Sequence, residues 1–401
     1  MSLFRVGKLS WKLLYPILSP FCLMLALLSL EQIKSPNYEY DGLILLFLYI
    51  SMIFAGILEI ISRSKLVGRV SNVISISKNE STITVSNSNW DYITKVVLPI
   101  GSCALFDFLG YLVTILLSKE KENKEQKNNN ETTIILIYGY IDTEVMMIQL
   151  FVLGILSYII LNYQIYIHQK ISISLSMIGM IFIIISTLIT YYDYIAKDKF
   201  FLLCLGPIFT SMGIVLEKNI MQNRGVSSYQ LLFIKGIFGA IITFAFFFGL
   251  CSIDSLGLTI FRPEFPFLTL EYIGYPILSI ILMFLFNLFY VQTNYYFTPC
   301  HTAVCDTISS LSAWVGLLME TPKDFKYKEE YLVLFNVFHV IGYILITVSV
   351  IIYNEFVIFS FCGMDVNTKE MISKRSIMEA LSAIEAEKEE EDDNADTTQI
   401  N

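Results

Sequence analysis

A chain of 401 residues that is 55% hydrophobic and only 16% charged carries more apolar side chain than a soluble globule of its size can bury, which places it in a membrane. The net charge of −9 comes largely from the run IEAEKEEEDDNAD after Glu379, so it describes a solvated tail and not a substrate or a nucleic-acid partner.

Apolar windows of about 18 to 25 residues, long enough to cross the hydrocarbon layer, begin near Trp11, Gly42, Thr94, Glu144, Ile171, Phe200, Leu231, Glu271, Pro299 and Tyr331. The expected fold is therefore an all-α integral membrane protein of ten transmembrane helices. Residues 1–10 are read as a cytosolic N-terminus. The first window follows Arg5 and Lys8 as a signal peptide would, but it is long, contains Pro16 and Pro20 and lacks a small-x-small cleavage site, so it is read as a retained span. Residues 11–190 form a first set of five helices. It is interrupted by a cytosolic loop at 63–94, with the β-branched stretch STITVSNS suggesting a short strand pair, and by a polar lumenal insertion at 119–132. Asn130-Glu131-Thr132 in that insertion is a glycosylation sequon. Residues 200–356 form the second set, and residues 357–401 an acidic cytosolic tail expected to be disordered. Lys and Arg lean toward the loops that this order places in the cytosol, with the lysines of KEKENKEQK as the main dilution. Both termini are then cytosolic.

The cysteines form no C-x-x-C pair and the three histidines stand on separate segments, so no metal or cofactor is expected.

The stretch from Phe286 to Trp314 concentrates polar groups at helical spacing. Thr302, Asp306, Ser309, Ala313 and Gly316 share one face of the ninth window, and Asn287, Tyr290 and Asn294 share one face of the eighth. The Thr298-Pro299 step between them ends the first helix and sets a tight turn. Ionisable groups within hydrocarbon cost roughly 3 kcal/mol or more unless they face a cavity or a partner, which singles out Asp306 and Asp107. Lys235 lies about one turn inside the seventh window, where a lysine also reaches the interface by snorkelling. Glu217-Lys218 reads as a cap on the cytosolic end of the sixth. Gly110, Gly236, Gly239 and Gly316 are small residues that let membrane helices approach.

Two internal echoes suggest duplication. The fifth window reads IGMIFIIIS from Ile178 and the tenth IGYILITVS from Ile341; the third opens Phe106-Asp107 and the eighth Phe286-Asn287. Third matching eighth and fifth matching tenth is the order two five-helix repeats require, and an odd number of spans per repeat inverts one against the other.

These residues resemble the drug/metabolite transporter superfamily, and within it the F-type branch of solute carrier family 35, relatives of the nucleotide-sugar transporters. The resemblance runs from about Pro99 to Thr368. It rests on Asp107 and Gly110 in LPIGSCALFDFLG; on Glu217, Lys235, Gly236 and Gly239 around GIVLEKNIMQNRGVSSYQLLFIKGIFG; on Phe286, Asn287, Asp306 and Trp314; and on Gly342, Tyr353 and Asn354. Gln149 matches a family glutamine. The resemblance implies a central cavity lined by the first to fourth and sixth to ninth helices, with the fifth and tenth outside. The polar stripes and the resemblance together give a substrate or coupling site drawn from Asp107, Gln149, Lys235, Asn287, Asn294, Thr302, Asp306 and Ser309, with Trp314 in packing. Thr302 and Ser309 stand where the family often has Arg, Tyr295 where it has Lys, Val152 near an Arg position, and Lys235 where Glu is usual, so an anionic nucleotide loses several partners.

The expected function is alternating-access transport of a small polar organic metabolite across an endomembrane of Golgi, lysosomal or vacuolar type. Partners are then membrane lipid and a small solute, with a homodimer compatible. A channel or structural membrane protein is the alternative. An acyltransferase reading of His301-x-x-x-x-Asp306 is remote because no phosphate- or acyl-binding motif accompanies it.

Overall fold

The structure, a computed structural model, describes residues 4–6, 12, 14–31, 41–62, 89–125, 148–191, 204–251, 274–303, 306–307, 329–360, 363–368 and 371–382. Nine long helices among them fall on nine of the ten apolar windows. They are α1 (Leu14–Glu31), α2 (Asp41–Ile53, running past a turn at Phe54 to residue 62), α3 (Leu98–Glu125), α4 (Gln149–Leu161), α5 (Ile167–Tyr191), α6 (Leu205–Arg224), α7 (Ser228–Cys251), α8 (Gly274–Tyr296) and α9 (Glu329–Tyr353). The ninth window is described only at its start, where Pro299–His301 forms a 3₁₀ turn.

Among the described residues, five helices are long and apolar enough to cross a membrane: Ile44–Ser62, Ile93–Val113, Ile167–Ser186, Ser228–Phe246 and Gly274–Tyr296. Leu14–Ser29, Gln149–Leu161 and Val337–Tyr353 are shorter apolar helices. Apolar side chains cover the outside as well as fill the core. Ile60, Ile159 and Ile241 are 60–70% exposed, while Ser51, Ser172, Ser279, Thr293 and Asn294 are fully buried among apolar residues such as Tyr49, Ile100 and Leu231. An apolar exterior with its polar groups turned inward suits a lipid solvent.

Local chemistry sets the joints. Pro99, second in α3, lacks the N–H that would close an α turn, and the turn before it widens to a π-helix over Ile93–Val97. Asn162 and Gly225 take left-handed conformations that end α4 and α6. Thr298 is extended and forms a capping box with His301 around Pro299, which is the tight turn the Thr-Pro step predicts.

Small residues set the pairings. A side chain on Gly236 would lie 2.9 Å from the Ile53 amide, and one on Gly239 would run into the Tyr49 ring, so these glycines seat α7 on α2 as expected. Gly110 packs against Thr210 and seats α3 on α6. Gly179 and Gly342 meet back to back between α5 and α9, each 2.8 Å from the other's carbonyl once a Cβ is added. Nearby, Ser172 Oγ donates to the Ser349 carbonyl (2.6 Å) and Ser349 Oγ to the Ser172 carbonyl (2.8 Å). Tyr15 stacks on Phe289 and Tyr296 to join α1 to α8. Further pairings join α2 with α8, α3 with α7 and α4 with α6.

Strands β1 (Phe4–Val6) and β2 (Val357–Phe359) pair antiparallel, Arg5 opposite Ile358, and bring the two ends of the helical bundle together. The stretch expected as a disordered tail thus begins with a strand, and residues 371–382 are helical. The polar insertion is likewise helical as far as Glu125. The helical turn at Asn89–Tyr92 shortens the loop read over 63–94. The STITVSNS stretch, Asn130, Ser309, Ala313, Trp314 and Gly316 lie outside the described residues.

Gly239→Ala puts a methyl group against the fully buried Tyr49 ring. It should cost about 1–3 kcal/mol of stability, read as a lower melting temperature of the purified protein, and Tyr49→Leu in the same chain should return part of the loss.

Candidate functional site: a buried ammonium between two carboxylates

Three ionisable side chains from three helices meet inside the bundle. Lys235 Nζ of α7 contacts both Asp107 Oδ2 of α3 and Glu217 Oε1 of α6. Glu217 is 1% and Lys235 5% exposed. Lys235 therefore points inward and does not snorkel, and Glu217 is a core charge and not the cap its position suggested. With one ammonium and two carboxylates ionised, the cluster carries a formal charge of about −1, which in a low-dielectric interior demands further polar neighbours.

Those neighbours come from α8. The Asn294 side chain lies beside Glu217, and its Nδ2 donates to the Ile214 carbonyl (2.9 Å). Glu217 Oε2 and Asn294 Oδ1 have no hydrogen-bond partner among the described residues. Lys218, next along α6, donates to the Asn294 and Tyr295 carbonyls (2.7 and 2.8 Å). It caps the C-terminal end of α8, where a cation meets the negative end of the helix dipole, and not the end of its own helix.

Small residues make room for the carboxylates. A Cβ on Gly213 would lie 2.5 Å from Asp107 Oδ1, so only glycine allows α6 to approach that side chain. Gly206, Thr210, Gly213 and Glu217 fall at i, i+4, i+7 and i+11, one continuous face of α6 turned toward α3. That spacing was legible in the sequence and is the signal that would have placed Glu217 inside.

Other candidate residues are engaged elsewhere. Asn287 donates to Ser51 Oγ (3.1 Å) and to the Leu48 carbonyl (3.4 Å), tying α8 to α2. Gln149, buried at the start of α4, donates to Tyr290 Oη (3.4 Å) of α8. Thr302 is fully buried and returns its hydroxyl to the Pro299 carbonyl (2.6 Å). Asp306 has a buried Oδ2 without a hydrogen-bond partner among the described residues. His301 Nδ1 is taken up by Thr298 Oγ1 (2.7 Å), and its ring stacks on Phe297.

No protein-family model and no curated protein matches this chain. A solved structure described as "Crystal structure of protein" aligns with 83% of this chain and 97% of its own at 12% identity and a TM-score of 0.45, a likeness too low to carry an argument.

Because Gly213 and Asp107 share one space, Gly213→Ala should lower the melting temperature by turning the Asp107 carboxylate away from Lys235. The same change in an Asp107→Ala background should cost markedly less, a non-additivity that a thermal melt of the four chains measures directly.

Proposed function

We propose that the chain is an alternating-access secondary transporter of a small polar organic metabolite in an endomembrane, built of ten spans in two inverted five-span halves. The observation that carries this reading is the Asp107–Lys235–Glu217 cluster. Three ionisable groups at one buried point of a membrane-spanning bundle are expensive, and such groups mark solute or ion pathways.

The helix pairings support the inverted halves. Numbered as spans, with α9 the tenth, they join first with eighth, sixth with third, third with seventh, eighth with second, second with seventh, and fifth with tenth. Advancing each number by five converts every one of these pairs into another of the set or into itself; the fourth–sixth pairing maps onto ninth with first, and most of the ninth span lies outside the described residues. Gly179 and Gly342, which hold the same place in IGMIFIIIS and IGYILITVS, meet each other as residues on a two-fold axis would. The Asp107–Lys235 contact of the third and seventh spans has its counterpart in the Asn287–Ser51 contact of the eighth and second. The β1–β2 pairing sets the segment before α1 beside the segment after α9, which is consistent with an even number of crossings. Alternating access then comes from rocking one half against the other, with the 3–4 and 8–9 hairpins as gates.

Lys235 is already matched by two carboxylates and leaves no spare cation for a phosphate. A neutral or cationic solute suits this interior better than a nucleotide sugar.

The test is uptake into proteoliposomes of purified protein, screened against nucleotide sugars, nucleosides, amino acids and peptides. Saturable uptake with counter-flow is expected for at least one class; a channel would give non-saturating flux, and a structural protein none. Asp306→Asn, which keeps size and hydrogen-bonding capacity, should fold normally and cut that uptake at least about tenfold, roughly 1.4 kcal/mol at the site.

A further inference from the structure

An open groove of about 700 Å³ lies between the α4–α5 connection and the helix over 371–382. It sits at the end of the bundle where β1 and β2 pair, since His168 at the start of α5 lies 3.3 Å from Glu355, just before β2. Two cations from distant parts of the chain line it, Lys170 in the first turn of α5 and Arg375 in the helix over 371–382, together with the side-chain amides of Gln164 and Asn367. Arg375 Nη2 donates to the Val366 carbonyl (3.3 Å), which holds the guanidinium in place. No carboxylate is among the described residues that line the groove, in a chain whose net charge is −9.

The groove is also continuous with lipid-facing surface. Tyr158 lines it, and Tyr158 and Ile159 at the end of α4 are 61% and 63% exposed; Ile167 and Ile171 continue that apolar surface along α5. Ile372 and Arg375 give the groove its other wall, and beyond it Ile377, Met378 and Leu381 of the same helix are all more than half exposed and lie on one side with Met371. A helix with an uncovered apolar side and Lys374 and Arg375 at its start has the make-up of one that lies in the membrane interface.

We propose that this groove binds the phosphate head group of an anionic phospholipid of the surrounding membrane, with the helix over 371–382 lying in the interface beside it. The phosphate sits between Lys170 and Arg375, where a guanidinium fork and an ammonium satisfy its oxygens, and the acyl chains run along Ile159, Ile167 and Ile171. The apolar rim is what selects a lipid over a soluble anion, because a free phosphate gains nothing from it.

The inference is independent of transport and is tested on the purified full-length chain in nonionic detergent. Short-chain phosphatidylserine, short-chain phosphatidylcholine and inorganic phosphate are titrated separately, with binding read by calorimetry and by the shift in melting temperature. Saturable binding of phosphatidylserine is expected, with phosphatidylcholine and inorganic phosphate each at least tenfold weaker. Lys170→Gln combined with Arg375→Gln should weaken phosphatidylserine roughly 25-fold, from two lost basic contacts. The lipid-free melting temperature should not move, since both side chains are exposed at the surface. Equal binding of the zwitterionic and anionic lipids, or a double variant that binds phosphatidylserine as tightly as the parent chain, overturns the proposal. Inorganic phosphate binding as tightly as the lipid overturns it in favour of a soluble anion. A double variant that melts lower without lipid shows instead that the two cations hold the helix in place.

Discussion

One ammonium held between two carboxylates is the constraint from which the rest of the helical arrangement follows. Lys235 reaches Asp107 and Glu217 together because α3 packs on both α6 and α7: Gly213 and Gly110 let α6 and α3 approach, and Gly236 and Gly239 seat α7 on α2. In hydrocarbon no hydrophobic force draws apolar helices together, so backbone proximity and polar contacts carry the association. Buried pairs of this kind add little net stability over an apolar core, because desolvation offsets the attraction, but they are unforgiving of loss of one partner. They specify which helices meet, and in this bundle they set a charged cluster within an apolar core.

The polar interior extends along α8. Asn287 and Asn294, on one face, spend their amides on Ser51 of α2 and the Ile214 carbonyl of α6, and Gln292, on another face, reaches Ser228 of α7. Lys218 anchors the far end of α8 by its last carbonyls. The helix that the sequence marks by its polar stripe is thus the strap across the ion cluster, with Asn294 as its point of contact.

Much of this was legible in the sequence. Nine helices coincide with apolar windows because hydrocarbon leaves a backbone no alternative to internal hydrogen bonds. The Thr298-Pro299 turn follows from local chemistry, and the glycines chosen for packing, Gly110, Gly236 and Gly239, do pack. The partnership of Asp107 and Lys235 was not legible, since they are 128 positions apart and nothing local links them. Glu217 was misread because Lys218 and Asn219 follow it and make the segment look like a helix end, whereas its burial is set by the small face of Gly206, Thr210 and Gly213 opposite α3. Asn287 and Thr302 were singled out as site residues by spacing alone, and spacing does not say whether a polar side chain faces a cavity or another helix. The strand pairing of Phe4–Val6 with Val357–Phe359 joins the segment before α1 to the segment after α9, a contact no short-range pattern reveals.

The measurement that bears most directly on this account is a thermodynamic cycle on the three charges, using reversible unfolding or thermal melts of purified protein. Lys235→Met leaves two buried carboxylates without their cation and should cost about 3–5 kcal/mol, while the same change made together with Asp107→Asn and Glu217→Gln should recover most of that loss. A Lys235→Met chain that melts like the parent, or a triple variant no better than the single one, would contradict the claim that the ammonium holds these helices together.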